Sequence, residues 1–331
     1  MKSLCHMSFI KSAKRWDWGM KKSIIIHPEE LTDNMVNRVI DCGVEVLGLH
    51  PVGGKRAAES LTALVKLKGT REFEERLGTL RAHGIAIEYH LHALSYFLPR
   101  GLFSYHPEWF RADACGQRIN DMNMCPSNEE ALLYVSERVS ELTRILPSDT
   151  GKYYYWLDDI ADAGCHCEKC MGTDPSDQAM LIFNAILKGI RKVDPVGKQC
   201  FLAYADQKMP PMQVQPEEGI FLQFAPMRSN TDSPFNENEE NRSLLNSIRS
   251  LLDFFGRRDS VVLDYWLDNS LFSGWKKPPV ALTIHPDVIR KDIAFYRACG
   301  FEEITTFACY LSDDYVRLYG EPPIADYIKC Y

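Results

Sequence analysis

The chain has 331 residues, 45% hydrophobic and 25% charged, with a formal net charge of -7 at pH 7. That balance is the one of a globular protein long enough for one large domain or two average ones. The acidic charge argues against nucleic acid or an acidic membrane surface as partner, and no apolar run approaches the roughly 20 residues needed to span a bilayer.

The opening segment, MKSLCHMSFIKSAKRWDWGMKK, is basic but lacks the continuous apolar stretch of a signal peptide. The chain therefore reads as cytoplasmic, with residues 1–21 expected to form a flexible leader. The eleven cysteines are an odd number and accompany a large apolar content, which argues against a disulfide-stapled scaffold. Cys42, Cys200, Cys299 and Cys309 sit within apolar patterns and read as small core residues.

Short apolar runs alternate with amphipathic stretches along the rest of the chain. SIIIH (23–27), VEVLGLH (44–50), IAIEYHLH (85–92) and YYYWLDD (153–159) predict the first four strands. QCFLAYAD (199–206), IFLQFA (220–225), VVLDYWLD (261–268) and EITTFACY (303–310) predict four more. Helical patterns separate them, such as EEALLYVSERVSELTRIL and QAMLIFNAILKGIRKV, and several of these end in Gly or Pro, as helix C-termini prefer. Eight strands alternating with helices predict an α/β fold, a single (β/α)8 TIM barrel over residues 22–331. An extended loop, 93–128, follows the third strand, and a cysteine-rich loop, 160–175, follows the fourth. A doubly wound sheet is the competitor, but HPEEL after the first strand supplies no glycine-rich turn.

Barrel enzymes build their sites at the C-terminal ends of the strands. Period-2 alternation groups Glu88, His90 and His92 on one face of the third strand, and Leu202, Tyr204 and Asp206 on one face of the fifth. In the seventh it groups Asp264, Trp266 and Asp268, expected at the lumen or its rim because helices cover the outer face. The fourth strand offers Trp156 and Asp158, with Asp159 at the turn; His27 and His50 close the first two strands. Tyr155-Trp156-Leu157-Asp158-Asp159 echoes Tyr265-Trp266-Leu267-Asp268-Asn269, which suggests two similar walls. Carboxylates beside aromatics suit glycosidic bonds: one acid protonates the leaving oxygen, and a second carboxylate or the substrate's acetamido group supports the oxocarbenium-like centre. A paired structural charge or a packed aromatic is the plainer alternative for any one of these residues.

CHCEKC sets Cys165, Cys167 and Cys170 in C-x-C-x-x-C spacing, which fits three thiolates of a tetrahedral structural zinc. Cys125 or Cys115 from the preceding loop would complete it; three reduced thiols are the alternative. No cofactor is expected to be needed for catalysis. A second metal option joins His90 and His92 to His27 or His50 and a carboxylate, as in an amidohydrolase-like centre.

WLDD (156–159), CHCEKC (165–170), SDQAMLIFNAILKGIRKVDP (176–195) and LAYAD (202–206) resemble the domain of unknown function 4838 family. HPEWFRADACGQRIN (106–120), MCPSNEE (124–130) and YVRLYGEPPIADY (315–327) extend the likeness over most of residues 22–331. That family is related to family 20 glycoside hydrolases and α-glucuronidases, which implies a barrel acting on sugars. In family 20 an Asp-Glu pair ends the fourth strand, the Asp orienting the acetamido group and the Glu acting as general acid. The resemblance puts those roles on Asp158 and Asp159, the latter one methylene short of the family's acid. The expectation is thus a hexosaminidase-like glycoside hydrolase acting on a small carbohydrate or oligosaccharide. Asp159 and Asp158 would be catalytic, and His90, His92, Trp156, Tyr204, Asp206, Asp264, Trp266 and Asp268 would bind substrate. A non-catalytic carbohydrate-binding protein on the same barrel is the alternative.

Overall fold

The structure is a computed structural model that describes residues 20–227 and 229–331. Most of the expected leader, residues 1–19, lies outside the described residues. All eight expected strands form: β1 (Lys22–Ile26), β2 (Val46–Leu49), β3 (Ala86–His92), β4 (Lys152–Trp156), β5 (Lys198–Ala203), β6 (Ile220–Phe224), β7 (Val261–Asp264) and β8 (Glu303–Phe307). Each pairs in parallel with its neighbours in sequence order, and β1 pairs with β8 to close the barrel. This is a (β/α)8 barrel.

Two apolar clusters follow from the strand alternation. The larger lies between the strands and the surrounding helices, and includes Ile24, Leu47, Tyr89, Tyr155, Phe201 and Val262. The smaller fills the lumen with Ile25, Tyr154, Trp156, Cys200, Leu263 and Phe307. The barrel is therefore plugged along its axis, and only its ends can hold a ligand. At the N-terminal end the plug is polar and held partly by hydrogen bonds. Lys152 Nζ donates to Glu303 at 2.9 Å, and Thr150 Oγ1 donates to Glu88 at 2.5 Å. Gly48 of β2 makes room in the lumen, since a Cβ there would lie 2.7 Å from Ile25 Cγ1 and 2.8 Å from His90 Cδ2.

The helices begin where capping chemistry allows. Asn128 accepts from Ala131 N ahead of the helix Glu129–Ile145, and Asp174 accepts from Ser176 N ahead of Pro175–Arg191, which has Pro at its first position. These two helices start where the long loops after β3 and β4 end. The loops thus emerge side by side at the C-terminal mouth. Among the described residues no helix is long and apolar enough to cross a membrane.

Candidate active site at the barrel mouth

The first three strands end in histidines that brace one another. His27 Nδ1 donates to His50 O, His50 Nδ1 to His90 O and His92 Nδ1 to Leu157 O, each at 2.7 Å. Each Nδ1 is thereby committed to a carbonyl, which fixes the ring and leaves Nε2 as the nitrogen free to meet another partner. Burial, then the His92 and His27 rings, hold His50 well below the ordinary imidazole pKa, so it is uncharged at neutral pH. The His50 ring lies 5.5 Å from Trp156 and 5.1 Å from Phe307, which form the floor beside it. Trp156 is fixed in turn by donating Nε1 to Gln223 Oε1 at 2.8 Å.

Beside His92, Asp159 and Asp268 line one recess of about 90 Å³ together with Trp156, Tyr204 and Tyr265. The recess opens into a wider cleft of about 480 Å³, also bounded by Asp159 and Tyr204 and reaching Asp206, Lys208 and Trp275. Tyr204 Oη donates to Asp159 Oδ1 at 3.1 Å and lies 3.0 Å from Met227 Sδ. Asp268 Oδ1 accepts from Ser270 Oγ at 2.5 Å and from Leu271 N at 3.2 Å, capping the short helix Asn269–Phe272. Burial raises the Asp268 carboxyl above the usual aspartate range, with the Ser270 hydroxyl opposing that shift. Gly53, in the loop after β2, closes the far side: a Cβ there would lie 2.8 Å from His92 Cδ2 and 3.6 Å from Asp159 Oδ2.

Several residues expected at the site lie elsewhere. Asp158 is only 5% exposed, and its carboxylate turns into the loop after β3. It accepts from Ser95 N at 2.9 Å, Ser95 Oγ at 2.6 Å and Asn123 N at 2.7 Å, while its own N–H donates to Asn123 Oδ1 at 3.0 Å. His90 does face the lumen, but one layer below the mouth. It is fully buried, stacked on Tyr154 at 3.9 Å, with Nε2 3.4 Å from Glu88. Asp264 and Trp266 face away from the lumen altogether. Asp264 Oδ2 accepts from Tyr296 Oη at 3.0 Å, and Trp266 Nε1 donates to Asp292 at 3.3 Å, both partners lying on the covering helix Pro286–Cys299. The lumen face of β7 is Val261, Leu263 and then Tyr265. The expectation failed because the helix face over β7 is not purely apolar: it supplies the hydroxyl and carboxylate that satisfy an outward Asp and Trp.

His27 and His50 were expected at strand ends and given a role only in the alternative histidine metal centre, while Tyr265, Phe307, Met227 and Trp275 were not expected at the site. Strand-end position signals the histidines, and the correct parity of β7 and β8 would have found Tyr265 and Phe307. Trp275 comes from the loop after β7, where no pattern announces it. The amidohydrolase-like centre lacks a ligand set: among the described residues, the grouping of His, Cys, Asp or Glu donors close enough to share an ion is Cys125, Cys165, Cys167 and Cys170.

With this geometry in place, comparison with known proteins gives the family. The model of DUF4838, a domain of unknown function, matches residues 66–306, more than half of the chain. The chain belongs to the DUF4838 family. No curated protein matches its sequence. Among solved structures it is similar to a glycoside hydrolase family 5 enzyme from Prevotella bryantii B14 in complex with a xyloglucan tetradecasaccharide. The TM-score is 0.50 at 9% identity, covering 91% of this chain and 85% of that one. It is similar too to endo-glycoceramidase II from Rhodococcus sp. (TM-score 0.48, 11% identity, 87% of this chain and 73% of that one). A further likeness is to a GH20 catalytic module of the pneumococcal exo-beta-D-N-acetylglucosaminidase StrH (TM-score 0.47, 12% identity, 94% and 83%). At such identities the likeness is one of fold: this DUF4838 chain and the family 5 enzyme share the barrel.

Proposed function

We propose that this barrel binds a carbohydrate at its C-terminal mouth and hydrolyses a glycosidic bond there, with Asp159 as general acid. The observation that carries the proposal is that Asp159 and Asp268, from separate walls, line one recess with Trp156, Tyr204 and Tyr265. Such a lining offers carboxylates and the His92 imidazole to sugar hydroxyls and aromatic faces to the ring's C–H surface. The resemblance to family 20 matches Asp159 to that family's acid, and Asp159 borders both the recess and the wider cleft. Asp158 is fully engaged by the loop after β3, so we assign the orienting role to Asp268, whose burial favours a proton for hydrogen-bonding a hydroxyl or acetamido oxygen. Asp158 then acts on the reaction by positioning the backbone that carries Asp159. The pocket residues of the proposal are His92, Trp156, Tyr204 and Asp268, with Asp206 in the outer cleft.

The test is turnover of a panel of aryl glycosides, N-acetylhexosaminides included, by wild type, Asp159→Ala and Asp268→Asn. Loss of an acid of this kind costs on the order of 10²–10⁴-fold for poor leaving groups and far less for nitrophenolates. Equal turnover by wild type and Asp159→Ala on every leaving group removes Asp159 from the mechanism. A leaving-group dependence that instead follows Asp268 exchanges the two roles. The second reading, a sugar-binding protein without turnover, is favoured by one feature: Asp159 is a methylene shorter than the Glu that the resemblance to family 20 expects there, and Tyr204 already occupies one of its oxygens. Sugar binding measured by calorimetry with no hydrolysis across the panel would establish that reading.

A further inference from the structure

We propose that Cys125, Cys165, Cys167 and Cys170 bind one zinc ion in a closed, structural tetrathiolate site. Their sulfur atoms all lie within 4.8 Å of one another, with Cys125 Sγ 3.7 Å from Cys167 Sγ and 3.9 Å from Cys170 Sγ. A tetrahedron with zinc–sulfur bonds of about 2.3 Å has edges of about 3.8 Å, so the thiols stand where zinc would hold them. The same separations are nearly twice the roughly 2.05 Å of a disulfide, and all four cysteines are free. Cys115, the other candidate for the fourth ligand, is exposed and takes no part.

The four cysteines and Ala112 form a small buried cluster separate from both the lumen plug and the helix-facing core. Side chains that merely pack would join one of those cores; these converge on one another from two different loops. Their surroundings fit a site of net negative charge. Ala112 N donates to Cys165 Sγ at 3.3 Å, and Arg118 Nη1 lies 3.7 Å from the same sulfur. Ser127 Oγ lies 3.2 Å from Cys125 Sγ and 3.3 Å from Cys170 Sγ. The Cys167 carbonyl accepts from Cys170 N at 2.9 Å and Met171 N at 2.8 Å, the tight turn that brings a C-x-x-C pair to one point. On binding, each thiol releases its proton to solvent and contributes a thiolate, with no change of oxidation state. Four protein ligands leave no open position for water, so the ion braces the structure and takes no part in sugar chemistry. What it braces is the site wall. Cys125 follows two residues after Asn123, which exchanges hydrogen bonds with Asp158 beside Asp159.

The test is independent of any activity. Protein purified without chelator from zinc-supplemented culture is expected to carry one zinc per chain by mass spectrometry of the metal content. Cys125→Ser and Cys167→Ser should lose it, and Cys115→Ser should keep it. Because a cysteine variant can fail to fold, wild-type protein stripped by chelator under reducing conditions is also titrated with cobalt(II). Intense visible ligand-field bands and sulfur-to-cobalt charge transfer, saturating at one equivalent and abolished by zinc, support the proposal. Folded, reduced wild type that takes up neither metal stoichiometrically overturns it, as does an iron–sulfur chromophore or a disulfide among the four cysteines.

Discussion

Asp264 shows what one misplaced carboxylate does. Buried between β7 and the helix Pro286–Cys299, it has its pKa raised from 3.8 to about 7, first by burial and then by the nearby Asp292. The folded chain therefore holds a proton that the unfolded chain has already lost above pH 4. Stability from this group is complete below its unfolded pKa and falls as pH rises towards about 7. Asp264→Asn keeps the hydrogen-bonding shape without the charge. It should raise stability at pH 8 by about 2–4 kcal/mol and flatten the loss of stability between pH 5 and 8. Urea midpoints of both proteins at the two pH values check this, and parallel pH dependences would refute it. Asp158 is the opposite case, a carboxylate satisfied by three donors. Asp158→Ala leaves the buried Asn123 N without that acceptor, at about 1–3 kcal/mol, and the half-buried Ser95 N at a smaller cost. The expected outcome is a lower melting temperature and faster proteolysis within 93–128; an unchanged digestion pattern would show that the loop is held without Asp158.

Strand parity and helix contact decide more than local propensity does. The echo between Tyr155–Asp159 and Tyr265–Asn269 is real in sequence but falls out of step in space. In β4 Trp156 faces the lumen and Tyr155 the helices, whereas just past β7 Tyr265 faces the lumen and Trp266 the helices. A shift of one residue turns every side chain to the other face, so similar strings build dissimilar walls. Close packing between elements has comparable leverage. In the helix Pro175–Arg191, a Cβ on Gly189 would run into the Ser136 carbonyl and lie 2.7 Å from Val139 Cβ, both on the helix Glu129–Ile145. Gly189→Ala must push the two helices apart, and a cost of about 1–3 kcal/mol in chemical denaturation is expected. The loops that carry Asp159 and the cysteines run between these helices and their strands. Gly189→Ala is therefore also expected to weaken ligand binding at the mouth, measured as a raised Kd.

For the whole molecule the critical step is closure of β1 on β8. Ser23 Oγ donates to Thr305 Oγ1 at 2.8 Å across that seam, and the C-terminal segment reinforces it: Tyr327 Oη donates to Ser23 O at 3.2 Å and Tyr331 Oη to Ile304 O at 3.0 Å. Ile324, Tyr327 and Ile328 are buried there in the outer core. Deleting residues 324–331 should leave an open sheet edge and exposed core, seen as loss of cooperative thermal unfolding and gain of dye binding; a sharp unfolding transition in the truncated chain would show that closure does not need the segment.

The amino-acid sequence alone determined the barrel, because eight apolar runs alternating with amphipathic helices admit few other parallel folds, and each run is local information. It determined the cysteine spacing, Cys125 included among two candidates, and the strand ends where a site could form. Tertiary structure alone decided which polar groups reach that site. Whether a strand residue faces lumen or helix depends on the partner across from it, and Tyr296 and Asp292, near residue 290, drew Asp264 and Trp266 outward. Whether a strand-end carboxylate is available depends on loops arriving from elsewhere: Ser95 and Asn123 captured Asp158, and Gly53 left Asp159 its place beside His92. Those choices are made by contacts between residues far apart in the chain, which no window along it contains.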